Sequence, residues 1–434
     1  MVGVYLLRKI VLLTVLTGSI LAKHEQYKGW KSYFIVATTN VQVQKLYEVV
    51  ENLDLDFLGP ILLDREAVVL VQPKYNAGFM DIAKKLGIKY WTHVADVKKA
   101  LDHDDEVMDD WCAGRTNHYP YNSYQPLNAI YDYMAYIENK YSKTVRMRIP
   151  KVSFEKRPIR YLKISTTNFL DESKPVIFIS GGIHAREWIS PATIVYAIRK
   201  LTEDVTEPDL LNNFDWILLP VLNPDGYEFT FIHDRFWRKN RSVNSYHNKR
   251  CPGVDGNRNY GILWRTVGTS NNPCSEIYGG NKAFSEMETQ VVRDVFREYI
   301  NRVDLYIDMH SYGSMVLYSW AHDGSSSNYS QVLHSVGVAM AQAMDYYTLA
   351  NFPRYTVGNS AKILNYKASG TAKDYAHFLG VPLSYAIELP GLSNGTQGFH
   401  LEPKFIESIG KATWAGIAVG AQRAKKFRSG LKLR

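Results

Sequence analysis

The apolar run Pro175-Val176-Ile177-Phe178-Ile179 restricts the fold more than any other stretch of this 434-residue chain. It has the length of a strand and offers water no polar face, so it reads as a buried strand. A buried strand needs other elements packed over its sheet. Directly beyond it comes Gly181-Gly182-Ile183-His184-Ala185-Arg186-Glu187-Trp188. An imidazole and a carboxylate three residues apart, just past a strand end, can both turn toward one point. They are two of the three protein donors that a catalytic Zn²⁺ site needs, with a further position left for water. The third donor is normally distant in sequence. His310 is the candidate, at the end of the strand-like run Val303-Asp304-Leu305-Tyr306-Ile307-Asp308-Met309. Alone, His184-x-x-Glu187 is a weak signal, because a loop histidine beside a solvated glutamate is common.

From Pro126 onward, helical and strand patterns alternate in the manner of a large α/β unit. Leu127, Ile130, Tyr131, Met134 and Ile137 mark a helix. Strands are expected at 159–165, 175–180, 216–222 and 383–389, and helices at 191–201, 286–299, 331–344 and 406–421. Chemically interesting residues fall at strand ends and in the loops after them, where open α/β sheets bind ligands.

The amino-terminal part differs. Residues 1–22 have the form of a secretory signal, with Arg8 and Lys9 before an apolar stretch and Ala22 as a small residue for cleavage. That stretch is too short to span a membrane, and no later one approaches the needed length. Residues 24–94 then form a compact unit, with strands expected at 32–37, 66–72 and 89–94 and helices at 41–53 and 75–86. Six acids follow between Asp102 and Asp110, read either as a solvated helix face or as part of an exposed connector. The connector ends in Ala113-Gly114-Arg115-Thr116, where a basic residue beside glycine is a site for proteolytic nicking. The expected division is therefore 1–22 signal peptide, 23–115 amino-terminal domain and connecting helix, and 116–434 main domain.

Export agrees with the cysteines: Cys251 and Cys274 can pair, leaving Cys112 over. Three Asn-x-Ser/Thr sequons begin at Asn240, Asn328 and Asn394. The net charge of +8 is modest for this length, and its basic residues are scattered apart from a tail read as a solvated end, so there is no nucleic-acid footprint. The 30 tyrosines argue against disorder.

Six more clusters accompany the first. They are Asn223-Pro224-Asp225-Gly226, read as a turn, and Phe236-Trp237-Arg238-Lys239. Next are Val254-Asp255-Gly256-Asn257-Arg258-Asn259 and His310-Ser311-Tyr312. The last is the pair Asn365-Tyr366-Lys367-Ala368-Ser369-Gly370 and Tyr385-Ala386-Ile387-Glu388. In this order the motifs resemble the pancreatic-type zinc metallocarboxypeptidases, the A/B group, in precursor form and over nearly the whole chain after the signal. The resemblance implies an α/β fold with a mixed central sheet flanked by helices and a small open-sandwich prodomain. It also implies a secreted monomeric zymogen of the digestive type, holding one Zn²⁺ and acting on peptide or protein C-termini. Residues 23–115 would cover the cleft until a trypsin-like protease cuts near Arg115, and proteinaceous carboxypeptidase inhibitors would be further partners. Residue by residue, it implies His184, Glu187 and His310 as zinc ligands, Glu388 as the catalytic carboxylate and Arg238 as the oxyanion-stabilising arginine. Asn257, Arg258 and Tyr366 would hold the substrate's terminal carboxylate, and Arg186, Ser311, Tyr312 and Phe399 would line the outer subsites.

Each role has a physical reason. A general base must accept a proton from water, and a fixed guanidinium stabilises an oxyanion more than a carbonyl. Arg258 offers a planar fork for a carboxylate. By the same resemblance, Asp255 would accept from His184 and fix its tautomer. An unpaired carboxylate among the apolar residues around Glu388 would be a costly structural choice, which favours a functional role. Other classes fit less well: there is no Gly-x-Ser-x-Gly elbow and no His-Glu-x-x-His motif. A binding protein that had lost the reaction should lack a ligand or Glu388, and none is missing.

By the same resemblance, the terminal side chain is read seven residues beyond Tyr366, at Lys373. A buried ammonium without a partner is expensive, so a carboxylate side chain would satisfy it and C-terminal glutamate is expected. The alternatives are that Lys373 pairs internally or that Asp308, on the same strand face as His310, neutralises it; specificity would then be broad or apolar. Thr371 replaces a common glycine, and Pro390, Gly391 and an extra residue before Phe399 alter the loop after Glu388.

Overall fold

A computed structural model describes residues 23–50, 53, 55–59, 61–112, 119–243, 251–392 and 398–432. The expected signal, Arg115 and Asn394 lie outside them. The amino-terminal unit is an antiparallel sheet of β1 (Lys31–Val36), β2 (Asp56–Phe57), β3 (Glu66–Val71) and β4 (Lys89–Val94), in the order β2-β3-β1-β4. With it run helices α1 (Asn40–Val50), α2 (Asn76–Lys85) and α3 (Val97–Cys112). Alternation along β3 sends Val69 and Val71 toward Val43, Leu46 and Phe79 of α1 and α2. It sends Val68 and Leu70 to the other face, against Phe236 and Phe399 of the main part of the chain. Burial on both faces explains why β3 reads as one apolar run.

The acidic stretch in α3 is not simply a solvated face. Asp105 Oδ2 lies 2.7 Å from Lys23 Nζ and 2.9 Å from His24 Nε2, and Asp104 lies 3.1 Å from the buried His400. Burial, with Arg235 close by, pushes the His400 imidazole down to about 4.

The main part builds an eight-stranded mixed sheet in the order β11-β10-β12-β9-β7-β8-β6-β5. Its strands are β5 (Val145–Val152), β6 (Pro158–Ile164), β7 (Val176–Gly181), β8 (Asp215–Leu219), β9 (Val303–Ser311), β10 (Met315–Tyr318), β11 (Thr356–Asn359) and β12 (Leu383–Leu389). The central strands β8, β7, β9 and β12 are parallel. Helices α4 (Leu127–Lys140), α5 (Ile189–Thr202), α6 (Pro208–Asn213), α7 (Pro224–Ile232), α8 (Met287–Tyr299), α9 (Ser330–Tyr347), α10 (Ser360–Leu364), α11 (Ala372–Phe378) and α12 (Ile406–Lys432) complete it.

The opening apolar run shows why the layers form. Ile177 and Ile179 face a core shared with α4, α5, α9 and α12 through Ile130, Ile194, Met340 and Ile417. Val176 and Phe178 face the opposite core with Val291 and Phe296 of α8 and Tyr375 of α11. Each fully buried aliphatic or aromatic side chain of this kind stabilises by about 1.5–3 kcal/mol. As far as Lys432 the basic tail belongs to α12: Lys425 Nζ donates to Asn213 Oδ1 at 2.7 Å and Arg428 to Asp304 at the same distance. Asn240 is buried with its amide donating to Glu286, so that sequon is occupied by packing, whereas Asn328 is exposed. Among the described residues no helix is long and apolar enough to cross a membrane.

Candidate active site

Because β7, β9 and β12 are parallel, their carboxyl ends meet at one edge of the sheet, where ligand sites of open α/β sheets form. His184 and Glu187 follow β7, while His310 and Glu388 are the penultimate residues of β9 and β12 and pair in register. Gly182 makes the exit from β7 with φ +65, and a Cβ there would meet Pro220 O at 3.1 Å. Asn223 holds the next loop in place. The segment read as a turn is instead the start of α7: Asn223 Oδ1 accepts from Gly226 N at 2.9 Å, with Pro224 in the first turn. The Asn223 amide also donates to Ile183 O and Lys239 O, joining the His184 loop to the Arg238 segment.

His184, Glu187 and His310 converge, each buried, with one donor atom apiece all within 4.8 Å of one another. His184 Nδ1 is 2.8 Å from Glu187 Oε1, and His310 Nδ1 is 3.0 Å from Glu187 Oε2. Both rings thus turn Nδ1 inward. Both turn Nε2 outward to a carboxylate: His184 to Asp255 Oδ1 at 3.1 Å and His310 to Asp308 Oδ2 at 2.8 Å. Two imidazoles and a carboxylate, with outward ring nitrogens already engaged, are a donor set suited to zinc. Burial would raise the Glu187 carboxyl, but His184 and His310 hold it well below the usual carboxylate range.

Asp255 serves more than His184. It receives Arg238 Nη2 at 2.9 Å and Asn257 N at 2.9 Å. Burial works against its charge, yet Arg238 and His184 keep it ionised far below ordinary carboxylates. The pairing aims the Arg238 guanidinium at the ligand cluster, with Nη1 3.2 Å from His184 Nδ1. Glu388 lines the same cavity as the cluster, half-buried. Withdrawal from water is the main reason its carboxyl is pushed up to about 8, partly offset by His310.

The carboxylate-binding candidates line, with this cluster, one cavity of about 650 Å³. Arg258 is fixed by Nε donating to Gly268 O at 2.7 Å and Nη1 to Asn257 O at 2.8 Å. Tyr366 donates to the same Gly268 O at 3.0 Å. The Asn257 side chain accepts from Ala372 N at 2.9 Å and turns its amide nitrogen toward His310. Arg186, Ser311, Tyr312, Lys373 and Phe399 line the same cavity. Arg186 stacks on Phe399 at 4.6 Å, and Ser311 N donates to Glu187 at 3.2 Å. Cys251 and Cys274 form a disulfide at the cavity rim.

The amino-terminal unit covers this cavity. Asp56 of β2 accepts from Arg186 at 2.7 Å, Tyr47 stacks on Tyr366 at 4.6 Å, and Asn40 accepts from Asn365 at 2.7 Å.

Of the alternatives left open for Lys373, the internal pair is the one found. Lys373 is buried but not without a partner: its ammonium donates to Asp374 Oδ1 at 2.7 Å. Asp374 also accepts from Ala321 N. Asp308 does not neutralise Lys373, because it is engaged by His310 and Ser180. Sequence reasoning also passed over Glu276, a half-buried carboxylate lining the cavity; removal from water, with Asp56 near, pushes it up to about 7. Only its place two residues after Cys274 hinted at it.

Comparison with known proteins agrees with this geometry. A sequence model described as Zinc carboxypeptidase matches residues 130–416, and one described as Carboxypeptidase activation peptide matches residues 33–104. Carboxypeptidase B of Helicoverpa zea is 52% identical over 96% of this chain and 98% of its own length. The crystal structure of the carboxypeptidase A from Helicoverpa armigera superimposes with a TM-score of 0.89 at 39% identity, covering 92% of this chain and 98% of that one. Bovine thrombin-activatable fibrinolysis inhibitor, solved in complex with tick carboxypeptidase inhibitor, is 33% identical over 70% of this chain and 99% of that one, with a TM-score of 0.65. The chain belongs to the zinc carboxypeptidase family, as an exopeptidase made with an amino-terminal activation peptide.

Proposed function

We propose that this chain is a secreted, monomeric zymogen of the digestive type that releases the last residue of a peptide, with preference for C-terminal glutamate. Residues 23–115 leave after a trypsin-like cut near Arg115, opening the cleft of residues 116–434. Zinc held by His184, Glu187 and His310 would acidify its water and polarise the scissile carbonyl. Glu388 accepts the proton of the attacking water and returns it to the leaving amine. Arg238, held by Asp255, donates to the developing oxyanion. Arg258, Asn257 and Tyr366 grip the terminal carboxylate, which restricts cleavage to the last bond. Arg186, Ser311, Tyr312 and Phe399 contact the residues before it. The observation that carries this reading is that Arg258 and the three-ligand cluster line one and the same cavity. Once uncovered, the same cleft would admit proteinaceous carboxypeptidase inhibitors.

For glutamate the support is narrower. Asp374 uses one N–H of the Lys373 ammonium, which carries three, and the other two have no partner among the described residues. Lys373 lines the cavity, so an acidic side chain would complete its donors. A second reading, broad or apolar specificity, is favoured by the Lys373–Asp374 pair and by Leu317, Ala368 and Ala386 in the same lining. Trypsin-treated protein should therefore cut peptides ending in Glu faster than those ending in Phe or Lys, and Asp more slowly than Glu. Lys373→Asp should move preference toward Lys and Arg. Equal rates on all termini would remove the role given to Lys373.

A further inference from the structure

We propose that Asp308 is a positioning residue for the metal centre: it sets the tautomer of His310 and frees Asn257 for substrate. The inference rests on the reading of His310 as a zinc ligand. A histidine can ligate through Nδ1 only if the proton sits on Nε2. In this structure Nε2 of His310 has two polar neighbours with opposite demands. One is Asp308 Oδ2 at 2.8 Å, the other Asn257 Nδ2 at 3.1 Å.

The orientation of Asn257 is not free. Its Oδ1 accepts from Ala372 N, so its amide nitrogen must face the ring. An amide nitrogen only donates, and donation to Nε2 would put the ring proton on Nδ1, where the metal belongs. A carboxylate only accepts, so Asp308 draws the proton to Nε2 and leaves the Nδ1 lone pair directed at Glu187 and His184. Once Nε2 carries a proton it cannot accept from Asn257, and the Asn257 N–H groups become available to a substrate carboxylate.

Asp308 is built for the task. It lies two residues from His310 on one face of β9, and both are almost fully buried. Its other oxygen accepts from Ser180 Oγ at 3.3 Å, and that hydroxyl is 2.8 Å from the Tyr306 hydroxyl. Asp255, which plays the matching part for His184, is shared with Arg238 and Asn257 N. Among the described residues, Asp308 is the one carboxylate within hydrogen-bonding distance of His310 Nε2.

The test is zinc affinity of the full-length chain, measured by competition with a chromogenic chelator, for wild type, Asp308→Asn, Asp308→Ala and His310→Ala. Asp308→Ala should weaken zinc about 10- to 100-fold. Asp308→Asn keeps the size and one acceptor oxygen, so it should fold and lose less. In zinc-loaded, ¹⁵N-histidine-labelled chain, His310 should show a protonated Nε2 in wild type and lose the protection of that proton in Asp308→Ala. If His310→Ala abolishes tight zinc binding while both Asp308 variants bind as wild type with the Nε2 proton unchanged, the role of Asp308 is overturned. If His310→Ala itself binds zinc as wild type, the ligand assignment fails instead.

Discussion

Glu388→Gln is expected to lower kcat on peptides with a free C-terminus by about 10²- to 10⁴-fold, the range of a lost general base, while one zinc ion per chain is retained. The substitution keeps size and shape but cannot accept a proton. Glu388 is not among the three converging donors, and its neighbour in register, His310, belongs to the adjacent strand. The backbone of β12 therefore holds position 388 in place whatever its side chain. An interaction used only in the transition state lowers kcat and kcat/KM together and leaves KM nearly unchanged. Steady-state kinetics on the trypsin-treated variant, with metal content measured in parallel, would show this. A kcat near wild type would remove Glu388 from the mechanism.

Arg258→Ala is expected to have the second largest effect. Two of its donors are tied to Gly268 O and Asn257 O, which fixes the plane of the guanidinium and turns its remaining edge to the cavity. Removing one partner of a buried charge pair costs about 3–5 kcal/mol, so kcat/KM should fall by about a hundred- to a few thousand-fold. Arg258→Lys should restore little, because an ammonium lacks the planar fork. Zinc content and thermal unfolding midpoint of the same variants should stay close to wild type, since Arg258 is not among the converging donors. Loss of zinc or of stability alongside the lost kcat/KM would point to general damage rather than a lost clamp.

Much of the site was legible because its residues stand at the ends of strongly apolar strands. The bounds expected for the run at 383–389 match β12, and His184, Glu187, His310 and Glu388 all fall at the edge where the parallel strands end. Other features depended on partners far along the chain. The acids Asp104 and Asp105 looked solvated because nothing local pairs with them, yet their partners are His400, Lys23 and His24. Asn223-Pro224-Asp225-Gly226 was misread because a turn and a helix N-cap use the same residue types for the same backbone hydrogen bonds. The strand β5 carries Arg146, Arg148 and Lys151 and lies at the sheet edge, where no alternating apolar pattern is required. Whether Lys373 pairs internally was left open by the sequence, because adjacent residues do not ordinarily face each other; the first turn of α11 brings Asp374 to it.

The most direct test of the central claim is the release of single residues from one peptide and its C-terminal amide by the trypsin-treated protein, before chelation, after it, and with zinc restored. Release of only the last amino acid, only from the free carboxylate form, lost with the metal and regained with it, is the result expected. Cleavage at internal bonds, or undiminished release once zinc has been removed, would contradict a metal centre facing a carboxylate clamp.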